Sequence, residues 1–261
     1  MLKTRALSAL AMAPPALAAA WYGGWWFALM IALGAALVCW EWETMVAGRF
    51  TLSGKVAAAG VAVASVLAVA LPAWAVVLIP VLVLTAFALA SGGVSARAWA
   101  AFGPLYGGLP AVALVWLRDD PADGRAIIFW LLLLVWATDI GAYAFGRLIG
   151  GPLLLPAVSP KKTWAGLIGG ALCAGLSGLG VGLALGQHAV VMTLASAGMA
   201  VVSQAGDLAE SWVKRRCGVK DSSNIIPGHG GVLDRVDGLL VVAAAVAAVL
   251  LTGNEAALGW R

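Results

Sequence analysis

Residues 127–139 read IIFWLLLLVWATD, and this run decides the class of fold. Twelve uncharged residues lead into a carboxylate, Asp139. Extended to 126–149, the segment passes the roughly 20 apolar residues a membrane-crossing helix needs. An ionisable group inside such a segment is costly, and it marks a function unless an inward partner accounts for it. Asp139, Tyr143 and Arg147 are spaced i, i+4, i+8 and share one helical face, with Thr138 beside them. Two readings follow: a structural Asp–Arg or Asp–Tyr interaction, or a direct part in a site.

The rest of the chain is of the same kind. Of its 261 residues 62% are hydrophobic and 11% charged, with a mean hydropathy of +0.98. A soluble domain carries roughly 25% charge. The apolar runs are too long, and alternate too little, for an outer-membrane barrel. The reading is an all-α polytopic membrane protein. Nine segments are expected, at about 5–20, 22–46, 54–71, 73–91, 101–117, 126–149, 164–186, 189–213 and 232–252. Pro14-Pro15 interrupts the first, and Gly103-Pro104 with Gly107-Gly108 makes the fifth marginal, so eight is the alternative count. The N-terminal run is read as a first helix and not as a signal peptide, because no polar mature domain follows it. Small residues recur every fourth position in the seventh segment, from Gly166 and Gly170 through Ala174, Gly178 and Gly182 to Gly186. That stripe lets another helix approach closely.

Charge sets orientation. With the N-terminus inside, 13 cations fall on the inner side and three (Arg118, Arg125, Arg261) on the outer side. This asymmetry is the positive-inside pattern. The net charge of +4 therefore serves topology and does not point to nucleic acid. Trp21, Trp25, Trp26, Trp74 and Trp116 fall near outer ends, and Trp40, Trp42, Trp164 and Trp212 near inner ends, as an aromatic belt would. Cys39, Cys173 and Cys217 suggest no disulfide framework.

The polar residues concentrate on the inner side, in 203–237: SQAGDLAESWVKRRCGVKDSSNIIPGHGGVLDRVD. Five of the chain's 12 acids are here (Asp207, Glu210, Asp221, Asp234, Asp237), and five of its 16 bases (Lys214, Arg215, Arg216, Lys220, Arg235). Pro227, Gly228, His229, Gly230 and Gly231 cannot continue a helix and place bare backbone N–H groups beside carboxylates. Asp207 with Ser211, and Glu210 with Lys214, are i, i+4 pairs near the end of the eighth segment. Asp234 and Asp237 open the ninth. Asp207 and Asp234 are expected to meet across two helix ends, where Mg²⁺ suits a few carboxylates completed by substrate phosphates and water. The competing reading is a set of structural ion pairs. His229 reads as a loop-ordering or phosphate-binding residue ahead of a proton carrier. Upstream, Ser159, Lys161, Lys162 and Thr163 precede the seventh segment. They are expected to cradle a phosphate at its N-terminus, or else to orient the segment or touch anionic lipid.

The run from Ser211 to Asp237 resembles the signature of the phosphatidate cytidylyltransferases, or CDP-diacylglycerol synthases. That signature reads S-x-x-K-R-x-x-x-x-K-D-x-x-x-x-x-P-G-H-G-G-x-x-D-R-x-D, and every fixed position is met. GDLAES from Gly206, SPKKTW from Ser159 and DIGAYAFGR from Asp139 are similar to further blocks of that family. Ala165 departs from it, since many members carry an acid or amide there. The resemblance implies one membrane-embedded domain over 1–261, with catalytic blocks at 138–166 and 203–237. It implies CMP transfer from CTP to phosphatidic acid, with Mg²⁺ and a monovalent cation such as K⁺ beside it, in a homodimer of the bacterial inner membrane. It assigns metal ligation to Asp207 and Asp234. Lys161, Lys162, Lys214, Arg215 and Lys220 would take substrate charge, with Asp221 and Asp237 supporting. Ser159, Thr163, Ser211, His229, Gly230, Gly231, Arg235, Asp139, Tyr143 and Arg147 would complete the substrate site.

Two other classes make different demands. A transporter would place polar residues near the bilayer midplane on paired broken helices, whereas here they gather at one face. A CDP-alcohol phosphotransferase needs a D-G-x-x-A-R block that is absent, and a polyprenol or phytol kinase would lack the full run through Asp237.

Overall fold

The structure is a computed structural model that describes residues 2–119 and 121–260, with side chains from residue 8 onward except residue 9. The topological assignments of Lys3, Arg5 and Arg261 rest on side chains outside the described set. Nine α-helices are present among the described residues: α1 (Leu2–Tyr22), α2 (Gly24–Ala47), α3 (Leu52–Leu67), α4 (Pro72–Leu89), α5 (Val94–Asp119), α6 (Gly124–Leu148), α7 (Trp164–Leu185), α8 (Ala189–Arg216) and α9 (Leu233–Leu251). A short antiparallel pair, β1 (Leu153–Leu155) and β2 (Ser159–Thr163), lies between α6 and α7. Among the described residues, six helices are long and apolar enough to cross a membrane. The protein is an all-α polytopic membrane protein, as its apolar periodicity requires.

The chain divides into two compact units. The first is Met1–Arg125 with Arg216–Val236, and the second is Ala126–Arg215 with Asp237–Arg261.

In the first unit, α2, α3, α4 and α5 share a core of small side chains, among them Ala35, Cys39, Ala58, Val61, Leu82 and Ala111. Here α5 corrects the sequence expectation. It runs unbroken for 26 residues through Pro104 and Pro110. Gly103, Gly107 and Gly108 are seats for neighbouring helices and do not break it. A Cβ on Gly103 would meet Trp42, one on Gly107 would meet Val38 and Cys39, and one on Gly108 would meet Val61 and Ile79. Trp42 is a second correction. It is 1% exposed, its Nε1 donates to the Trp99 carbonyl at 2.8 Å, and it packs in the core, whereas Trp21, Trp25, Trp26 and Trp74 are exposed as belt residues should be. The α1–α2 turn is held by neighbours on α5. Arg118 donates to the carbonyls of Ala20 and Trp21, each at 2.6 Å, and Asp119 accepts from Gly24 N at 3.0 Å. A cation on a helix C-terminus and an anion on a helix N-terminus both match the helix dipole.

In the second unit the small-residue stripe of α7 does what its spacing implies. Gly166 faces the Ala142 carbonyl on α6, and Gly170 faces Thr138 O on α6 and Gln204 on α8. Gly178 faces Ser196 and the Met192 carbonyl on α8, and Gly182 abuts Ala189. Gly186, at φ 67°, is the left-handed C-cap. Trp130 donates to Ser196 Oγ at 2.9 Å and meets Trp260 edge-on at 6.0 Å.

Candidate active site

The segment between α8 and α9 folds as an irregular loop whose tip is a tight turn. Ile226 N donates to Gly230 O at 2.9 Å, and His229 N donates back to Ile226 O at 2.9 Å. Gly228 (φ 77°) and Gly230 (φ 85°) take the left-handed conformation this turn requires, which explains the glycines on either side of His229. Ser8 Oγ donates to the Pro227 carbonyl at 3.0 Å. Lys220, Asp221, Asn224, Ile226, Gly228, His229, Gly230 and Arg235 line a cavity of about 510 Å³. His229 Nδ1 is buried and has no hydrogen-bond partner among the described residues.

Asp234 closes the loop onto the start of α9. Its Oδ2 accepts from Ser222 N at 2.9 Å, Ser222 Oγ at 2.9 Å and Gly231 N at 2.7 Å. A carboxylate in the first turn of a helix is favoured by the dipole, and three donors on one oxygen make it a rigid anchor. A fully buried acid from α2, Glu41, sits behind this anchor. Its Oε1 accepts from Ser223 Oγ at 2.6 Å and Val232 N at 2.8 Å, and its Oε2 from Leu233 N at 2.6 Å and Ser222 Oγ at 3.2 Å. Cys217 follows α8, and burial pushes its thiol up from its ordinary value while Arg216 pulls it down.

In the second unit three acids converge. Asp207 and Glu210 on α8 and Asp237 on α9 each offer an oxygen, all within 4.8 Å of one another. Both expected i, i+4 contacts form. Ser211 Oγ donates to Asp207 Oδ1 at 3.3 Å, and Lys214 Nζ meets Glu210 Oε2 at 2.6 Å. Lys162 Nζ meets Asp207 Oδ2 at 2.5 Å. Oxygen donors gathered in this way suit a hard divalent cation, and Lys162 and Lys214 flank them with positive charge. The donor set therefore fits the metal that the sequence suggests.

The 159–163 block lies differently from its expectation. Lys161 and Lys162 are on β2 and not in a helical turn. Strand alternation sends their side chains to opposite faces, with Lys161 exposed and Lys162 half-buried. Thr163 is the N-cap of α7, accepting from Gly166 N at 3.1 Å, so its hydroxyl oxygen is committed to the helix. Ser159 opens the strand half-buried. On α6 the shared face is present, and the contact on it is Arg147 NH1 donating to Tyr143 OH at 2.7 Å. Asp139 is exposed one turn earlier, and Arg215 is exposed at the end of α8.

A model of the cytidylyltransferase family matches residues 3–252. This chain belongs to that family. A Brucella suis protein named phosphatidate cytidylyltransferase is 42% identical over 249 residues, covering 93% of this chain and 91% of the relative. A Pseudomonas aeruginosa protein of the same name is 40% identical over 267 residues, covering 96% and 97%. One from Haemophilus influenzae is 40% identical over 143 residues, about half of each chain. Family membership makes the chain a nucleotidyltransferase.

Sequence reasoning passed over Glu41, Glu210 as a member of the acidic cluster, Ser222 and Ser223 as donors, and Asn224 in the cavity wall. For Glu41 the signal was available. It is an acid in the apolar run of the second segment, open to the same question as Asp139.

Proposed function

We propose that this chain is a phosphatidate cytidylyltransferase, transferring CMP from CTP to phosphatidic acid to give CDP-diacylglycerol and pyrophosphate in phospholipid biosynthesis. The observation that carries the reading is the folding of the 211–237 motif. Six of its fixed residues, Lys220, Asp221, Gly228, His229, Gly230 and Arg235, come to line one cavity. Its volume, about 510 Å³, is that of a small-molecule site.

A phosphate oxygen of phosphatidate attacks the α-phosphorus of CTP. The new P–O bond forms as the bond to the β-phosphate oxygen breaks, and pyrophosphate leaves with the electron pair. The attacking phosphate monoester is already anionic at neutral pH, so no strong general base is required. The protein's task is to bring two polyanions together and to stabilise charge on the leaving group. Lys220 and Arg235 are in the cavity wall to take phosphate charge, and His229 Nδ1, without a hydrogen-bond partner among the described residues, is available to a phosphate or ribose hydroxyl. Lys162 brings a cation to the acidic cluster. Lys214 supports from its buried pair with Glu210, and Arg215 is exposed for substrate charge, while Lys161 points away on the other face of β2.

Mg²⁺, held through Asp207 with Glu210 and Asp237 at hand, would supply Lewis-acid charge stabilisation to the substrate phosphates. The ligand role of Asp234 rests on the resemblance, since its Oδ2 already takes three loop donors. The proposal includes one catalytic domain over 1–261 and a homodimer in the bacterial inner membrane with the loop on the cytoplasmic side. A monovalent cation such as K⁺ accompanies Mg²⁺. Incubating purified protein with labelled CTP, phosphatidate and Mg²⁺ tests the reading. Label in CDP-diacylglycerol with stoichiometric pyrophosphate is expected, and no lipid-linked label at saturating substrate overturns it.

A further inference from the structure

Glu41 lies 181 residues before Ser222 in sequence and on a different helix from every residue the 211–237 motif names. Its side chain is 0% exposed. A buried carboxylate is tolerated only when its lone pairs are matched by donors. Each Glu41 oxygen receives one backbone N–H and one serine hydroxyl: Val232 N and Ser223 Oγ on Oε1, Leu233 N and Ser222 Oγ on Oε2. The four donors come from both flanks of the turn that carries Pro227 through Gly230. The Glu41 carboxylate therefore clamps the two legs of the loop together at its base.

The clamp leads directly to the cavity. Ser222 Oγ stands 3.2 Å from Glu41 Oε2 and 2.9 Å from Asp234 Oδ2. It has one proton, which it shares between two carboxylates, so Glu41 and Asp234 are fixed with respect to each other through one hydroxyl. Asp221 precedes Ser222, and Arg235 follows the two amides that Glu41 holds by two and three residues. Both line the cavity. Gly231 reports the same closeness, since a Cβ there would overlap Ser222 Oγ and the Glu41 carboxylate. The second glycine of the pair is thus required by Glu41, while the first is required by its positive φ.

We infer that Glu41 is a positioning residue for the nucleotide site, holding the 222–233 loop in the conformation that presents Asp221, His229 and Arg235 to CTP. The inference rests on the proposed function. The donor set also dictates the chemistry at position 41. A carboxylate only accepts, and all four neighbours donate here. Glutamine keeps the shape but turns an N–H₂ toward one oxygen's donors, so one backbone N–H loses its acceptor.

The test is Glu41→Gln, with Glu41→Asp and Ser223→Ala as companions that alter the clamp less. Three quantities are read: kinetic constants for CTP and phosphatidate separately, thermal stability in detergent, and amide hydrogen exchange. In Glu41→Gln, kcat/KM for CTP should fall about ten- to a hundredfold, the weight of one hydrogen bond to a charged group. The KM for phosphatidate should change less than about twofold, since the clamp touches only the loop. Exchange should accelerate at 222–233, with Val232 and Leu233 foremost, and stay unchanged in α3 and α4. Wild-type constants with unchanged loop exchange would overturn the inference. So would a general loss of stability with equal effects on both substrates, which is the mark of a merely structural acid. Should Glu41→Gln not fold, Ser223→Ala decides: a selective loss toward CTP supports the clamp, and unchanged constants overturn it. A wild-type protein that makes no CDP-diacylglycerol defeats the proposed function instead, and the exchange measurement then judges the clamp alone.

Discussion

Replacing Lys162 by alanine, beside the same change at Lys161, separates two adjacent lysines that the sequence treats alike. Lys162 Nζ lies 2.5 Å from Asp207 Oδ2, within a group of acids whose oxygens are all within 4.8 Å of one another. At that distance the Coulomb attraction is about 3 kcal/mol if the effective dielectric is about 40, between the bulk-water and near-surface values. The two side chains are 23% and 38% exposed, so solvent screening and the ordering of a long side chain reduce this to about 1–2 kcal/mol. Removing Lys162 forfeits that and leaves Asp207 without the cation paired to it. Transition-state charge on the phosphates loses a counter-charge as well. The expected loss in kcat/KM is therefore about tenfold or more, at about 1.4 kcal/mol per decade. Lys161 points to the opposite face of β2, and its alanine variant should stay within about threefold of wild type, as exposed charges usually do. Lys162→Arg should recover only part of the loss, because a planar fork does not reproduce a compact ammonium. The assay is CMP transfer at saturating Mg²⁺ with each substrate varied in turn. A Lys161→Ala defect larger than that of Lys162→Ala, or full activity in Lys162→Ala, would refute the reasoning.

Asp207→Asn and Asp234→Asn should each leave a folded protein and lower turnover by two to four decades, about 3–5 kcal/mol. A steeper Mg²⁺ requirement is expected in Asp207→Asn, and Mg²⁺ titration of the residual activity checks it. Gly231→Ala should destabilise the protein by about 1–3 kcal/mol, as overpacking does, and slow CTP turnover together with it; thermal unfolding alongside CTP kinetics measures both. Single cysteines at Ile225 and Asp123, both exposed, in a background lacking Cys39, Cys173 and Cys217, should react with an impermeant thiol reagent from opposite sides of the membrane. Labelling of both from the periplasmic side would reverse the topology.

Much of the fold was legible in order along the chain. Apolar runs of bilayer length, ended by charge, proline or glycine, located the nine helices, because a helix in lipid must satisfy its backbone within itself. Only α5 begins well before its expected start, at Val94. The α7 stripe and the i, i+4 contacts of α8 were legible for the same local reason: helical period alone decides which side chains share a face. Gly103, Gly107 and Gly108 misled because glycine breaks a helix in water but seats a neighbour in a packed bundle, and only the neighbour distinguishes the two.

The site divides along the same line. The order of acids, bases and glycines in 211–237 was enough to carry a resemblance to a nucleotidyl-transfer family, which the family match bears out, since so long a gapless run does not recur by chance. Tertiary structure decided which lysine of a pair faces Asp207, that Asp237 and Glu210 stand with it, and that Thr163 is committed to capping a helix. It also decided that Glu41, named by no motif, holds the loop. These are contacts between residues far apart in the chain, such as the 192 positions from Glu41 to Leu233. No periodicity links such residues, and their meeting is set by how helices pack.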